Sequence, residues 1–110
     1  MTEPLTPAVF HILLALSGGE RHGYAIMQEV RDTFPMGPGT LYGTIKRMLA
    51  AGFVVEAGER PDPELNDERR RYYRITADGK RAAVAEARRL ETLVRLAKSK
   101  SLLGKESRAS

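Results

Sequence analysis

Gly37-Pro38-Gly39-Thr40-Leu41-Tyr42-Gly43-Thr44-Ile45-Lys46-Arg47-Met48-Leu49-Ala50-Ala51-Gly52-Phe53-Val54-Val55 reads as a short helix running into a strand. Pro38 suits a first helical position, Gly52 a helix stop, and Phe53-Val54-Val55-Glu56 is β-prone. At about 100° per residue, Leu41, Ile45, Met48 and Leu49 gather on one side, which must be the core side. Gly39, Thr40, Gly43, Lys46 and Arg47 fall opposite, with Tyr42 on one flank and Thr44 on the other. Lys and Arg neutralise phosphates, and Arg also pairs with guanine edges, so this face suits the major groove of DNA. A glycine inside a helix costs about 1 kcal/mol against alanine. At Gly43, close approach of the backbone to DNA would compensate; the alternative is a neutral surface glycine.

The flanking segments supply the setting. Thr6-Pro7 is a helix start, and Val9, Ile12, Leu13 and Leu16 follow at helical spacing until Ser17-Gly18-Gly19, giving a first helix over roughly 7–17. A second helix opens near His22-Gly23 and runs to about Thr33; Pro35, Gly37, Pro38 and Gly39 then force a turn. The third helix is the one quoted, from about Pro38 to Ala51. Beyond its strand, Ala57 to Arg69 is polar, carries Pro61 and Pro63, and reads as a long exposed loop. Arg71-Tyr72-Tyr73-Arg74-Ile75 is β-prone again and pairs with the first strand as a hairpin, one tyrosine inward and one outward. Thr76 caps a last helix from about Ala77 to Leu96 or a little beyond, with Asp78 in its first turn, and residues 99–110 are expected to fray.

The order of helix, helix, helix, strand, wing, strand and long helix defines a mostly α (α+β) chain. It is a winged helix-turn-helix over residues 5–76 with a C-terminal dimerisation helix over 77–98. In that motif the first helix of the pair crosses the DNA backbone, so His22 and Tyr24 are placed to meet a phosphate at the open amides of a helix N-terminus. The alternative is Tyr24 in the core and His22 as a simple cap. On the wing, Arg69-Arg70-Arg71 supplies three positives for the phosphates, with Arg74 a fourth. The competing arrangement is surface pairing of Arg69 and Arg70 with Glu64, Asp67 and Glu68.

The last helix carries Ala83, Ala87, Leu90, Val94 and Ala97 at three- and four-residue steps, and Leu93 and Leu96 widen the stripe. Such a stripe on so small a domain calls for a second copy of the helix, or for packing back onto the first helix. A joint homodimer interface using Val9, Leu13, Ala83, Ala87, Leu90, Leu93, Val94 and Ala97 satisfies both.

Composition narrows the function. The chain has 110 residues, 42% hydrophobic, with a net charge of +4 that weakly favours a polyanionic partner. It has no cysteine, which excludes disulfides and cysteine metal sites, and His11 and His22 have no ligand partner at metal spacing. No P-loop, nucleotide fingerprint or histidine–carboxylate constellation is present, so neither an enzyme nor a cofactor is expected. The N-terminus lacks a signal-peptide charge, and the apolar run at Ala8–Leu16 is too short for a bilayer, which points to the cytoplasm.

Taken together, the early Leu-rich helix, His22-Gly23-Tyr24, Gly39-Thr40-Leu41-Tyr42, Lys46-Arg47-Met48-Leu49, Gly52-Phe53-Val54, Tyr72-Tyr73-Arg74-Ile75-Thr76 and Gly79 resemble the PadR family of transcriptional regulators, of the short type with a single C-terminal helix. The resemblance covers about residues 5–97. It implies a winged-helix dimer that binds a palindromic operator in double-stranded DNA and usually represses a neighbouring gene. It also implies Gly39, Thr40, Tyr42, Lys46 and Arg47 as the reading helix and the basic end of the wing as a backbone contact. Position 43 is Gly where the family often has Pro. Some relatives bind aromatic compounds or drugs between the last helices. The last helix here departs from that pattern, having no Trp, Tyr or Phe to build an aromatic stacking pocket, and the resemblance leaves a small-molecule effector open without naming it. A module that binds protein rather than DNA is the competing reading, motivated by the acidic segment Asp62–Glu68.

Overall fold

The computed structural model describes residues 3–61 and 69–104. In chain order the elements are α1 (Pro7–Ser17), β1 (Arg21–His22), α2 (Gly23–Val30), α3 (Pro38–Ala51), β2 (Val54–Pro61), β3 (Arg69–Ile75) and α4 (Ala77–Ser99). The helix ends follow local chemistry. Thr6 caps α1 by accepting from the Val9 amide at 3.3 Å, and Pro7 sits in its first turn. Gly52 ends α3 in the left-handed conformation, φ 81°. Thr76 Oγ1 accepts from the Gly79 amide at 2.9 Å and donates to the Gly52 carbonyl at 2.6 Å, so one hydroxyl starts α4 and ties it to the end of α3. Gly79 is needed at that junction, because a Cβ there would run into the Phe53 carbonyl and lie 3.0 Å from Ile75 Cγ1.

The core lies where α1, α2 and α3 meet the sheet. Ile12, Leu13 and Leu16 of α1, Ile26 of α2, Leu41, Ile45 and Met48 of α3, and Val54 of β2 are all buried. Each such side chain contributes roughly 1.5–3 kcal/mol of burial. Tyr73 points into this core and Tyr72 away from it, as strand alternation requires, and burial pushes the Tyr73 phenol up from its ordinary value.

Several sequence expectations need correction. The sheet has three antiparallel strands in the order β1-β3-β2, because Arg21 and His22 pair with Tyr73 and Tyr72. The second helix ends at Val30 rather than Thr33: Asp32 and Thr33 are weak helix formers, and the residue before Pro35 disfavours helix. Of the stretch expected as a loop from Ala57 to Arg69, residues 57–61 and Arg69 are strand, and residues 62–68 lie outside the described residues. Gly58, at φ 107°, sits at an irregularity after Glu56 that lets pairing resume through Glu59↔Arg71 and Arg60↔Arg70. The acidic tip, with its expected Glu64, Asp67 and Glu68 pairings, lies outside the described residues, as does the tail from 105.

Candidate nucleic-acid interface

Around α3 the outward face carries Gly39, Thr40, Lys46 and Arg47, all exposed, with Gly43 half-buried. Neither Lys46 nor Arg47 has a carboxylate partner among the described residues. A Cβ at Gly43 would meet only Arg47 Nη1, at 3.9 Å, so packing within the chain does not require glycine there.

Thr44 does not belong to this face. It is 1% exposed, because it stands three residues after Leu41 and four before Met48 and so falls on the edge of the buried stripe. Its hydroxyl accepts from Arg47 Nη2 at 3.2 Å, which gives it an indirect part in orienting that guanidinium.

Three distant segments meet at the start of α2. His22 caps the helix, its Nδ1 accepting from the Ala25 amide at 3.1 Å and lying 3.2 Å from Arg70 Nη1. A ring nitrogen that accepts from an amide and faces an arginine is unprotonated, so a neutral His22 carries its proton on Nε2. Arg70 also stands over the Tyr24 ring, 5.0 Å from its centroid. Tyr24 is 44% exposed, which removes it from the core. Tyr42 leans from α3 over Gly23, where a Cβ would lie 2.6 Å from its Cζ. Gly23 is therefore the seat of Tyr42, a role that no local sequence signal marks. His22, Tyr24, Tyr42 and Arg70 form one patch beside the outward face of α3.

The wing treats its other arginines differently. Arg71 bridges Glu56 at 3.6 Å and Glu59 at 3.5 Å, with Glu56 foremost in holding its guanidinium more firmly protonated. Arg60 and Arg74 both reach Glu20, at 2.6 Å and 3.2 Å, and these two hydrogen bonds hold the Glu20 carboxyl below its ordinary value. Arg69 lies on β3, and its side chain is outside the described residues. Arg71 is thus not the free phosphate contact expected of it. Glu20 escaped the sequence reading because its partners stand 40 and 54 residues away.

The expected dimer surface also divides. Leu13 is fully buried and Ala83 is 9% exposed, both inside the core of the single chain, so neither is available to a partner. The first half of α4 packs on α1 and is fixed by Glu86. This buried carboxylate accepts from the Leu5 amide at 3.1 Å and from Arg89 Nε at 3.1 Å. Arg89 above all holds the Glu86 carboxyl below its ordinary value. Farther along the same stripe Leu93 and Val94 are exposed, Ala87 is exposed, and Val9, Leu90 and Ala97 are half-buried. Among the described residues no group of three or more His, Asp or Glu is placed to hold a metal, and no helix is long and apolar enough to cross a membrane.

A helix-turn-helix followed by a β-wing, with a cationic third helix, defines the winged-helix class of regulators. The model of the PadR-like family of transcriptional regulators matches residues 12–85. This chain belongs to that family, and is a transcriptional regulator rather than an enzyme. A curated relative, the transcriptional regulator Rv3488 of Mycobacterium tuberculosis, is 37% identical over 86 residues, covering 77% of each chain. Among solved structures, a PadR family transcription regulator from Clostridium difficile R20291 superposes with TM-score 0.72 over 86% of this chain and 97% of that one, at 22% identity. Bacillus subtilis PadR, crystallised in complex with operator DNA, matches with TM-score 0.64 over 74% of this chain and 47% of that one, at 20% identity.

Proposed function

We propose that this chain is a sequence-specific DNA-binding repressor that acts in the cytoplasm as a homodimer on a palindromic operator. The observation that carries the reading is the outward face of α3, where Thr40, Lys46 and Arg47 stand exposed and, among the described residues, without a carboxylate partner. In a helix-turn-helix that face enters the major groove, while the N-terminus of α2 meets the backbone. Lys46 neutralises phosphate, Arg47 reads guanine or phosphate, and Gly43 lets the helix approach closely. His22, Tyr24, Tyr42 and Arg70 contact the backbone beside it. The family's regulatory role supports this reading, as does the operator complex of the Bacillus subtilis relative.

The dimer follows from α4. Its 23 residues extend about 34 Å, and its core-facing stripe continues past α1 into Leu93 and Val94, 47% and 44% exposed. A second copy of α4 covers that stripe and sets the distance between the two reading helices. A small-molecule effector wedged between the paired helices would change that distance. Sedimentation of the chain is expected to give a dimer that the double substitution Leu93→Glu, Val94→Glu turns into a folded monomer with weakened operator binding. A wild-type monomer at micromolar concentration contradicts the dimer. Anisotropy with DNA from upstream of the gene tests the repressor reading, and a co-purifying protein with flat DNA titrations would favour a protein-binding module instead.

A further inference from the structure

We propose that Glu20 is a built-in competitor for DNA phosphate: it occupies Arg60 and Arg74 on the outer face of the wing and so limits how tightly the chain grips any duplex. The inference rests on the DNA-binding reading above. Strand alternation places Arg70, Tyr72 and Arg74 on one face of β3, opposite the buried Tyr73. Arg60 joins that face from β2, its guanidinium 3.8 Å from the centroid of the Tyr72 ring, and Tyr72 meets His22 edge-on at 5.3 Å. The face therefore runs without a break from the wing to the patch at the start of α2. Glu20, in the connection between α1 and β1, sets a negative charge on it. One carboxylate oxygen takes Arg60 and the other takes Arg74.

These are partly exposed pairs, with side-chain exposures of 33% for Glu20, 46% for Arg60 and 55% for Arg74. Such pairs contribute little to stability, so holding the fold together does not account for them. Their larger consequence is for an incoming polyanion. A phosphate that engages Arg60 or Arg74 must either displace Glu20 or sit beside it against like-charge repulsion. Wing cations grip the backbone of every sequence alike. Restraining them lowers affinity for the vast excess of non-operator DNA and leaves discrimination to α3. Without Glu20 the Tyr72 ring still holds Arg60 on this face, so the freed charge stays where phosphate passes.

The test is fluorescence anisotropy with a random-sequence duplex over a salt series, using wild type, Glu20→Gln, Arg74→Gln and the double variant, with circular dichroism melts as a folding check. Glu20→Gln is expected to tighten random-duplex binding about threefold to tenfold at low salt and to steepen the log–log salt slope by about one to two. Arg74→Gln is expected to cost under about twofold in wild type and several-fold in the Glu20→Gln background, since only there is the cation free. The wild-type half of that comparison stands even if Glu20→Gln folds poorly: a several-fold loss there, equal to that of Lys46→Gln, overturns the inference. Wild-type binding that is unchanged or weakened in a folded Glu20→Gln also overturns it, while leaving the DNA-binding reading intact. Wild type and Glu20→Gln both indifferent to DNA would overturn the two together.

Discussion

The outward face of α3 and the wing are both basic, yet they hold their charges in opposite ways. On α3, among the described residues, Lys46 has no carboxylate partner and Arg47 only the Thr44 hydroxyl. On the wing, Arg71 is engaged by Glu56 and Glu59, and Arg60 and Arg74 share Glu20. A free cation on a rigid helix can spend its full interaction on a base edge. A cation already satisfied by a neighbour gains only the difference when DNA arrives. On the proposed DNA-binding reading, the contrast gives sequence discrimination to α3 and a restrained, sequence-blind grip to the wing.

Arg47→Ala strikes the free side and is expected to have the largest effect. Operator affinity should fall by about 1–3 kcal/mol, tenfold or more, with a smaller loss on random duplex. Equal losses on both DNAs in an anisotropy titration would move Arg47 from reading to backbone contact. Arg70→Gln should weaken operator and random DNA alike by a few-fold and lower the salt slope by about one. A selective loss of operator binding would break the division between the two faces.

Gly43→Ala separates folding from reading within α3. Helix propensity should raise stability by about 1 kcal/mol in a denaturant titration, since only Arg47 Nη1 lies near the new methyl. Operator affinity should nevertheless fall several-fold, because the methyl stands between backbone and groove. Unchanged affinity would make Gly43 a neutral surface residue.

The smallest effect concerns pH and the anchoring of α4. Glu86 has its carboxyl depressed below the ordinary 4.5 by Arg89 and by the Leu5 amide. A depressed carboxyl stabilises the fold fully above the unfolded value and loses that contribution as pH falls through the folded value. The melting temperature of wild type should therefore drop below about pH 4.5 more steeply than that of Glu86→Gln. Parallel pH profiles would remove Glu86 from the anchoring of α4.

How much of this could be read from the chain depended on whether the signal was local. The ends of α3 were legible because Pro38 and Gly52 mark them chemically, and the exposure of Gly39, Thr40, Lys46 and Arg47 followed from one helical wheel. Thr44 was placed on a flank of the outward face, although it stands three residues from Leu41 and four from Met48, on the edge of the buried stripe. The two-residue β1 has no periodicity to detect, and the extension of β2 rests on cross-strand pairing and the Gly58 irregularity rather than on strand propensity. The apolar stripe of α4 announced a covered face without saying what covers it. Hence Leu13 and Ala83 were assigned to a partner when they serve the chain's own core. Glu20 and Glu86 hold segments far apart in sequence, and nothing in their immediate neighbours signals it.

The central claim is that the free face of α3 discriminates among sequences while the wing does not. Anisotropy titrations of wild type on upstream intergenic DNA and on a random duplex, each across a salt series, test it most directly. The account predicts tighter binding to the upstream DNA at every salt concentration, with a gap that persists as salt weakens both. Identical affinities for the two DNAs at every salt concentration would contradict it.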